Sequence, residues 1–188
     1  MQGRDHLSVH RSLQRYVSTV LPEPWDVQPA RKEPQTRPLA VVRPLGANPS
    51  TGTAYVREYS PPFEILMYPP VAEEGDPWGN EGLAHQWFRT MYRAIEAGHG
   101  TGPDQGYSMR VPLYDYTATP LGQGLPPDAV PLDYLCVQGL DGSVRQDPQQ
   151  DDLYTIVIDL RLNWRDDGDL SRFDGATLEG IGLRGPIQ

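Results

Sequence analysis

Residues 153–164 read Leu-Tyr-Thr-Ile-Val-Ile-Asp-Leu-Arg-Leu-Asn-Trp, the clearest structural pattern in the chain. Every even position is apolar, and from Asp159 onward every odd position is polar. Successive side chains of an extended strand point to opposite faces, so all the even-numbered apolar groups share one face. At about 3.3 Å per residue the stretch spans roughly 40 Å, about twice the usual strand length. We therefore predict a long strand over residues 153–164 around which a sheet is built.

The two halves of this strand differ on their second face. The first half carries Leu153, Thr155 and Val157 there and is nearly apolar on both sides. The second half carries polar side chains on that face and is apolar on one side only. We expect the first half to lie inside the domain and the second half to run toward a neighbouring subunit.

Composition predicts a modest core with long irregular connections. The 188 residues include 38% hydrophobic residues, 20 Pro and 19 Gly. No apolar run is longer than residues 65–68, which is far too short to cross a bilayer, and the N-terminus lacks an apolar signal region. We expect a soluble, non-secreted protein without a membrane partner.

The net charge of −9 is unevenly distributed along the chain. Residues 1–60 hold eight basic and five acidic side chains, giving +3, and residues 61–188 hold eight and twenty, giving −12. Because affinity for phosphates depends on Lys and Arg, the acidic part is unsuited to wrapping a DNA duplex. The acidity either serves solubility alone or forms a surface that repels DNA.

Periodicity and the positions of Pro and Gly predict the other elements. In chain order these are a helix over 6–21, strands over 39–42, 55–59 and 63–68, a helix over 81–97, and strands over 109–116 and 133–140. This order predicts an α+β fold: a mixed, mainly antiparallel sheet with two helices packed on one face, plus extended Pro/Gly-rich loops. We expect one domain over residues 1–165 and a C-terminal arm over residues 166–188.

Several connections carry specific expectations. Pro61-Pro62 interrupts residues 55–68 and favours a bulge or an edge position there. Asp141-Gly142 is a hairpin turn signal, followed by an acidic loop over 146–152. Residues 22–38 form an extended linker around Trp25, and residues 48–53 form a turn or loop. The single Cys136 is expected to be a small core residue.

Histidine and glycine patterns supply no convincing cofactor or metal site. Gly180-Ile-Gly182-Leu-Arg-Gly185 matches the dinucleotide pattern, but only three residues follow it, so the required helix is missing. His6 and His10 lie four apart on a helix without a third ligand nearby, which is typical of a solvated polar face. His85 is expected to be partly buried or at the surface.

Acidic clusters are equally unspecific. Residues 166–169, Asp-Asp-Gly-Asp, resemble part of a calcium loop but lack its sixth-position glycine and closing Glu. Asp147, Asp151 and Asp152 belong to the acidic loop, and nothing marks a cleft for them. We therefore predict no catalytic, cofactor-binding or metal-ligating residue, no cofactor and no enzymatic activity.

The tryptophans divide into two groups. Trp87 is expected in the core, since it shares the apolar stripe of the second helix. Trp25 and Trp78 lie in proline-rich segments, where aromatic side chains either anchor a loop or form an interface.

The layout resembles the tail-terminator proteins of long-tailed bacteriophages, of the minor tail protein U type. The resemblance covers roughly residues 5–165 and rests on element order, with the acidic loop and alternating last strand of residues 134–164 as its closest part. The Pro-rich linkers are longer here, and the residues after Arg165 have no counterpart in the compact pattern.

The resemblance implies a virion structural protein at the head-proximal end of the tail, assembled in the host cytoplasm. Such proteins form a homo-oligomeric, hexameric ring that stops growth of the tube of major tail protein. The ring then joins the tail to head-completion or neck proteins, and genome DNA passes through its lumen without specific binding. Two alternatives stay open: another neck or head-completion connector, and a small α+β enzyme or ligand-binding domain.

Overall fold

The computed structural model describes residues 6–29, 37–46, 51–52, 57–59, 61–97, 109–147, 150 and 152–166. Of the expected arm over residues 166–188, Asp166 is the last residue of a strand, and residues 167–188 lie outside these described residues. Two helices are present in this part of the chain, α1 (His6–Val20) and α2 (Gly79–Ala97). The strands are β1 (Asp26–Gln28), β2 (Leu39–Pro44), β3 (Thr51–Gly52), β4 (Arg57–Tyr59), β5 (Pro62–Tyr68), β6 (Arg110–Leu113), β7 (Asp133–Gln146) and β8 (Tyr154–Asp166).

The fold is α+β, as the element order predicts. Six strands follow one another in the order β1, β2, β5, β8, β7 and β6, and β4 with β3 continues the sheet beside the end of β8. Every pair is antiparallel except β1 with β2. Strand β1 lies inside the segment that the sequence predicts as a linker, and β3 lies inside the predicted loop over 48–53.

The even-numbered side chains of β8 form the centre of the core, which confirms the predicted strand face. Ile156, Ile158, Leu160 and Leu162 are at most 2% exposed. Both helices pack on this face of the sheet, α1 against β1, β2 and β6, and α2 against β6, β7 and β8. A second, smaller cluster lies on the other face: Leu39, Val41, Leu66, Tyr68 and Val157.

The second half of β8 is enclosed by its own chain. It pairs with β7 as far as Asn163 on one side, and with β5 and then β4 on the other. Leu160 and Leu162 are buried in the same core as the first half. Strands of the same chain occupy both edges as far as Asn163, so this half cannot pair there with a strand of another subunit. That it runs toward a neighbouring subunit stays a prediction.

The proline pair interrupts a central part of the sheet and not an edge. Tyr59 pairs with Trp164 and Pro62 with Arg161, so two residues lie between these pairs on each strand and the register continues without a bulge. The backbone carbonyl of Pro61 accepts a hydrogen bond from the Leu162 N–H, 3.4 Å away. The expected bulge or edge position is therefore wrong, since proline costs a donor but keeps its acceptor.

The predicted hairpin turn at Asp141-Gly142 is also wrong. Strand β7 continues through both residues, which pair with Asp159 and Ile158 of β8. The chain reverses later, between Gln146 and Tyr154, within the predicted acidic loop. Position 142 has no room for a side chain, because a Cβ there would lie 2.6 Å from Cε2 of Phe88 on α2.

A register irregularity between Val137 and Gly139 changes which side chains of β7 face the helices. Before it, Leu135 and Val137 are buried, and after it Leu140 and Val144 pack against the core. Cys136 alternates with the two buried residues and is exposed, so its expected place in the core is wrong. Neither helix, the only two in the described part, is long and apolar enough to cross a membrane.

Candidate assembly surface

The candidate ligand residues of the sequence do not converge on one site. His10 Nε2 lies 2.7 Å from the Val42 carbonyl oxygen, and the His10 ring packs against the Phe63 ring with centroids 6.0 Å apart. It therefore belongs to the α1–sheet contact and not to a solvated face, which corrects the expectation. His85 is exposed on α2. Asp166 is the last residue of β8 and Asp152 is exposed, whereas the His6 side chain, Asp151 and the rest of the candidate loops at 166–169 and 180–185 lie outside the described residues.

Asp147 is part of a structural ion pair that the sequence does not reveal. Its Oδ2 lies 3.1 Å from Nη2 of Arg37, and both side chains are mostly buried. Arg37 also donates to the Tyr154 carbonyl and lies over the ring of Tyr68. Burial lowers the pKa of the Arg37 guanidinium, and the Asp147 carboxylate opposes that shift. No group of three His, Cys, Asp or Glu side chains that could hold a metal occurs among the described residues.

The tryptophans whose side chains are described lie in two environments, against the core and at the surface. Trp87 packs against the core and meets Trp25 edge to face, with ring centroids 5.1 Å apart. Trp25 therefore anchors its segment onto α2. Of the two alternatives for this residue, loop anchor and interface, the structure supports the loop anchor. Trp78 immediately precedes α2 and is 79% exposed, and its backbone N–H donates to Oδ1 of Asp76. The Trp164 side chain lies outside the description.

Two arginines of α1 hold the segment that follows β6. Arg11 donates to the carbonyls of Thr119, Pro120 and Gln123 and lies over the Tyr116 ring. Arg15 donates in the same way to the carbonyls of Leu125, Pro126 and Pro127 and lies over the Tyr114 ring. The arginines and two buried serines share one side of α1, with Ser8 and Ser12 accepting the N–H groups of Tyr116 and Tyr114.

Replacing Arg15 by Gln is expected to loosen this segment without unfolding the domain. The variant loses charge-assisted bonds to three carbonyls, and solvent exposure reduces the loss to about 1 kcal/mol. Chymotrypsin should then cleave the variant faster after the exposed Leu121. An unchanged far-UV circular dichroism spectrum should show that the domain is still folded. Arg89→Gln, at an exposed position of α2, is the matched control. Equal cleavage rates in both variants would contradict a clamping role for Arg15.

The outer edge of β7 is the candidate surface for contact with another chain. Strand β6 pairs with β7 only at Asp133–Cys136, and Val137 N–H still reaches the Met109 carbonyl. Beyond that point, no strand in the described ranges pairs with the outer side of residues 139–146. Since an open strand edge presents a row of unpaired N–H and C=O groups, it is a template for pairing with another chain.

Alternation along the strands identifies the outward backbone groups. Leu162 bonds toward β5, through the Pro61 carbonyl, so the even residues of β8 bond to β5 and the odd ones to β7. In the register of β7 on β8, residues 139, 141, 143 and 145 of β7 then bond to β8. The groups that face outward belong to Leu140, Gly142, Val144 and Gln146.

Only two of these outward groups have a partner within the described residues. The Gly142 N–H donates to Oδ1 of the neighbouring Asp141 at 2.7 Å. The Tyr92 hydroxyl donates to the Leu140 carbonyl at 3.4 Å. The other outward groups have no hydrogen-bond partner in the part of the chain that the structure describes, which makes this edge a candidate for contact between chains.

A row of charges crosses the sheet to this edge on the face opposite the helices. Arg43 and Glu64 form an ion pair with 2.7 Å between Nη2 and Oε2. Next in the row Glu64 faces Asp159, and Asp159 faces Asp141 at the edge. Like charges directly opposite each other destabilise a sheet, and neither Asp has an ion-pair partner among the described residues.

None of the protein-family models compared with this chain matches it, and no curated protein matches its sequence.

Proposed function

We propose that this chain is a virion structural protein that forms a ring at the head-proximal end of a long phage tail. It stops growth of the tail tube and joins the tail to the neck or head-completion proteins. The observation that carries the proposal is the long hairpin β7–β8, whose outer edge over residues 139–146 has no strand partner among the described residues.

The order of the elements supports the same assignment. In the described chain α1, β2, β5, α2 and the hairpin β7–β8 follow one another as in the tail-terminator layout. The proposed function requires surfaces and no catalytic group. A head-to-tail contact repeated around an axis closes into a ring when its rotation matches, and six copies are proposed here.

The acidity of residues 61–188 suits a ring through which a genome passes. Twenty acidic and eight basic side chains give this part −12, and an acidic lumen limits adhesion of DNA in transit. Under this proposal the DNA is a passing partner without specific contacts. The tube protein and the neck proteins are the binding partners.

Tube-capping and gene-loss experiments test the proposal. Purified full-length chain, added to polymerising tail-tube protein of the phage that carries the gene, should cap one tube end with a ring visible by negative-stain microscopy. Native mass spectrometry of the released ring should give six times the 21.0 kDa chain mass. Loss of the gene should yield overlong tails without heads.

Tail length that does not change after loss of the gene, together with uncapped tubes, would overturn the assignment. Capping with normal tube length in the gene-loss mutant would favour the other neck-connector alternative. Turnover of a small-molecule substrate by a monomer would favour the enzyme alternative.

Removal of residues 167–188 is expected to weaken ring formation and leave the domain folded. The deletion keeps Asp166, which pairs with Arg57 in the sheet, and the core side chains of β8. Thermal melting followed by circular dichroism should therefore remain cooperative, while tube capping requires more protein. Global unfolding of the shortened chain would refute the assignment of these residues to an arm.

A further inference from the structure

We propose that two copies of this chain pair through their β7 edges, antiparallel about a two-fold axis at Ser143, to form one continuous sheet. The inference rests on the open edge and its charges, and it does not depend on the proposed function. The occupant of the edge is thus the same edge of a second copy.

Backbone alternation restricts the registers that such a pair can adopt. The outward groups belong to even-numbered residues, so hydrogen-bonded pairs must join an even residue of one copy to an even residue of the other. A two-fold axis at Ser143 joins Gly142 to Val144 and Leu140 to Gln146, each in both directions. All four outward-facing residues of each copy are then paired.

The positions of the charged side chains favour this register over the two adjacent ones. With the axis at Ser143, Asp141 of each copy lies directly opposite Arg145 of the other, and both side chains are exposed in the single chain. An axis at Gly142 would place Asp141 opposite Ser143. An axis at Val144 would place Asp141 opposite Asp147, which sets like charges against each other.

The pairing also completes the row of charges across the sheet. In one copy the row ends with two facing acids, Asp159 and Asp141, without a basic partner among the described residues. Arg145 of the second copy extends the row with a positive charge next to Asp141. Opposite charges on directly facing residues stabilise a strand pair, and the two-fold axis makes the contact twice.

In the single chain, the side chains at the edge already lie where the contacts of the pair would form. The Arg145 Nε–H donates to Oγ of Ser143 at 3.0 Å, which holds the guanidinium beside the axis. Asp141 accepts the Gly142 N–H in the single chain. In the pair the Val144 carbonyl of the second copy accepts that N–H, and the Asp141 carboxylate is free to bind Arg145.

A two-fold contact cannot build a six-fold ring by itself. The paired form is therefore a state of the free protein, in which the edge is covered before assembly. Ring formation at a tube end would replace it with a head-to-tail contact.

A disulfide trap tests the register. Ser143→Cys, in a Cys136→Ser background that removes the exposed natural thiol, should give a covalent dimer under mild oxidation. Residues facing each other on the axis have Cα atoms about 4.5 Å apart, within disulfide reach. Gln86→Cys in the same background, on the exposed side of α2, is the control and should stay monomeric on a non-reducing gel. Equal yields from both variants would overturn the register.

A charge exchange tests the energetics. Asp141→Arg and Arg145→Asp should each weaken the dimer about tenfold or more, because each sets like charges opposite each other twice. The double variant D141R/R145D should restore the wild-type dissociation constant, measured by analytical ultracentrifugation with melting temperature as the folding control. A wild-type chain that stays monomeric at about 100 μM, or single variants that dimerise normally, would overturn the pairing. A monomer that still caps tubes would leave the ring proposal intact, and a dimer that never caps them would overturn only the ring.

Discussion

Replacing Ile158 by Asp is expected to unfold the subunit. Ile158 is fully buried at the centre of β8, between β5 and β7, with its side chain in the helix-covered core. A carboxylate there has no charged partner in that core and loses its hydration, which costs several kcal/mol. Because a domain is stable by only about 5–15 kcal/mol, this loss removes much or all of the folding free energy.

Circular dichroism melts of two further variants make the result specific. Ile158→Val keeps the apolar face and should cost about 1 kcal/mol. Thr155→Asp adds the same charge to the same strand at a partly exposed position opposite Arg145, and it should change stability by less than about 1 kcal/mol. A cooperative, wild-type-like melt of Ile158→Asp would show that the even-numbered side chains of β8 do not form the core.

Residues that repeat with a clear period were predictable from the sequence. The even face of β8 and the α1 stripe of Val9, Leu13 and Val17 are buried as their spacing predicts. Each of these signals depends on many side chains, because burial of one face sets all of them together. The fold class follows from them.

Features that depend on one residue or on contacts distant in sequence were not predictable. Pro61 suggests an edge, yet the strand pairs on either side of it keep one register. Cys136 lies in an apolar stretch, yet alternation turns it outward between Leu135 and Val137. In each case the sheet, and not the local sequence, determines the environment.

The candidate surface could not be predicted from the sequence for a related reason. An open edge is defined by where the neighbouring strand stops, and β6 pairs with only the first four residues of β7. The hydrogen bonds from Arg11 and Arg15 to backbone carbonyls more than a hundred residues away are equally non-local. One local signal existed, since Ser8, Arg11, Ser12 and Arg15 repeat at helical spacing on one side of α1.

Asp141-Gly142 is the most instructive of the failed predictions, and a substitution can test its explanation. The pair has the composition of a tight turn, but a 14-residue strand passes through it. The absent side chain at position 142 leaves room for the Phe88 ring, since a Cβ would lie 2.6 Å from Cε2 of Phe88 and 3.0 Å from the Val157 carbonyl oxygen. Gly142 therefore serves the packing of α2 on β7.

Gly142→Ala is accordingly expected to destabilise the domain by about 1–3 kcal/mol, the usual cost of overpacking. The control is Gly139→Ala on the same strand, where an added Cβ meets nothing within 4 Å, so it should be neutral or slightly stabilising. Urea unfolding of both variants measures the difference. Combining Gly142→Ala with Phe88→Ala should cost less than the sum of the single changes, because the ring that the new methyl group meets is gone. If the two costs simply add, or if Gly139→Ala is as damaging as Gly142→Ala, the glycine at position 142 is needed by the backbone and not by the Phe88 ring.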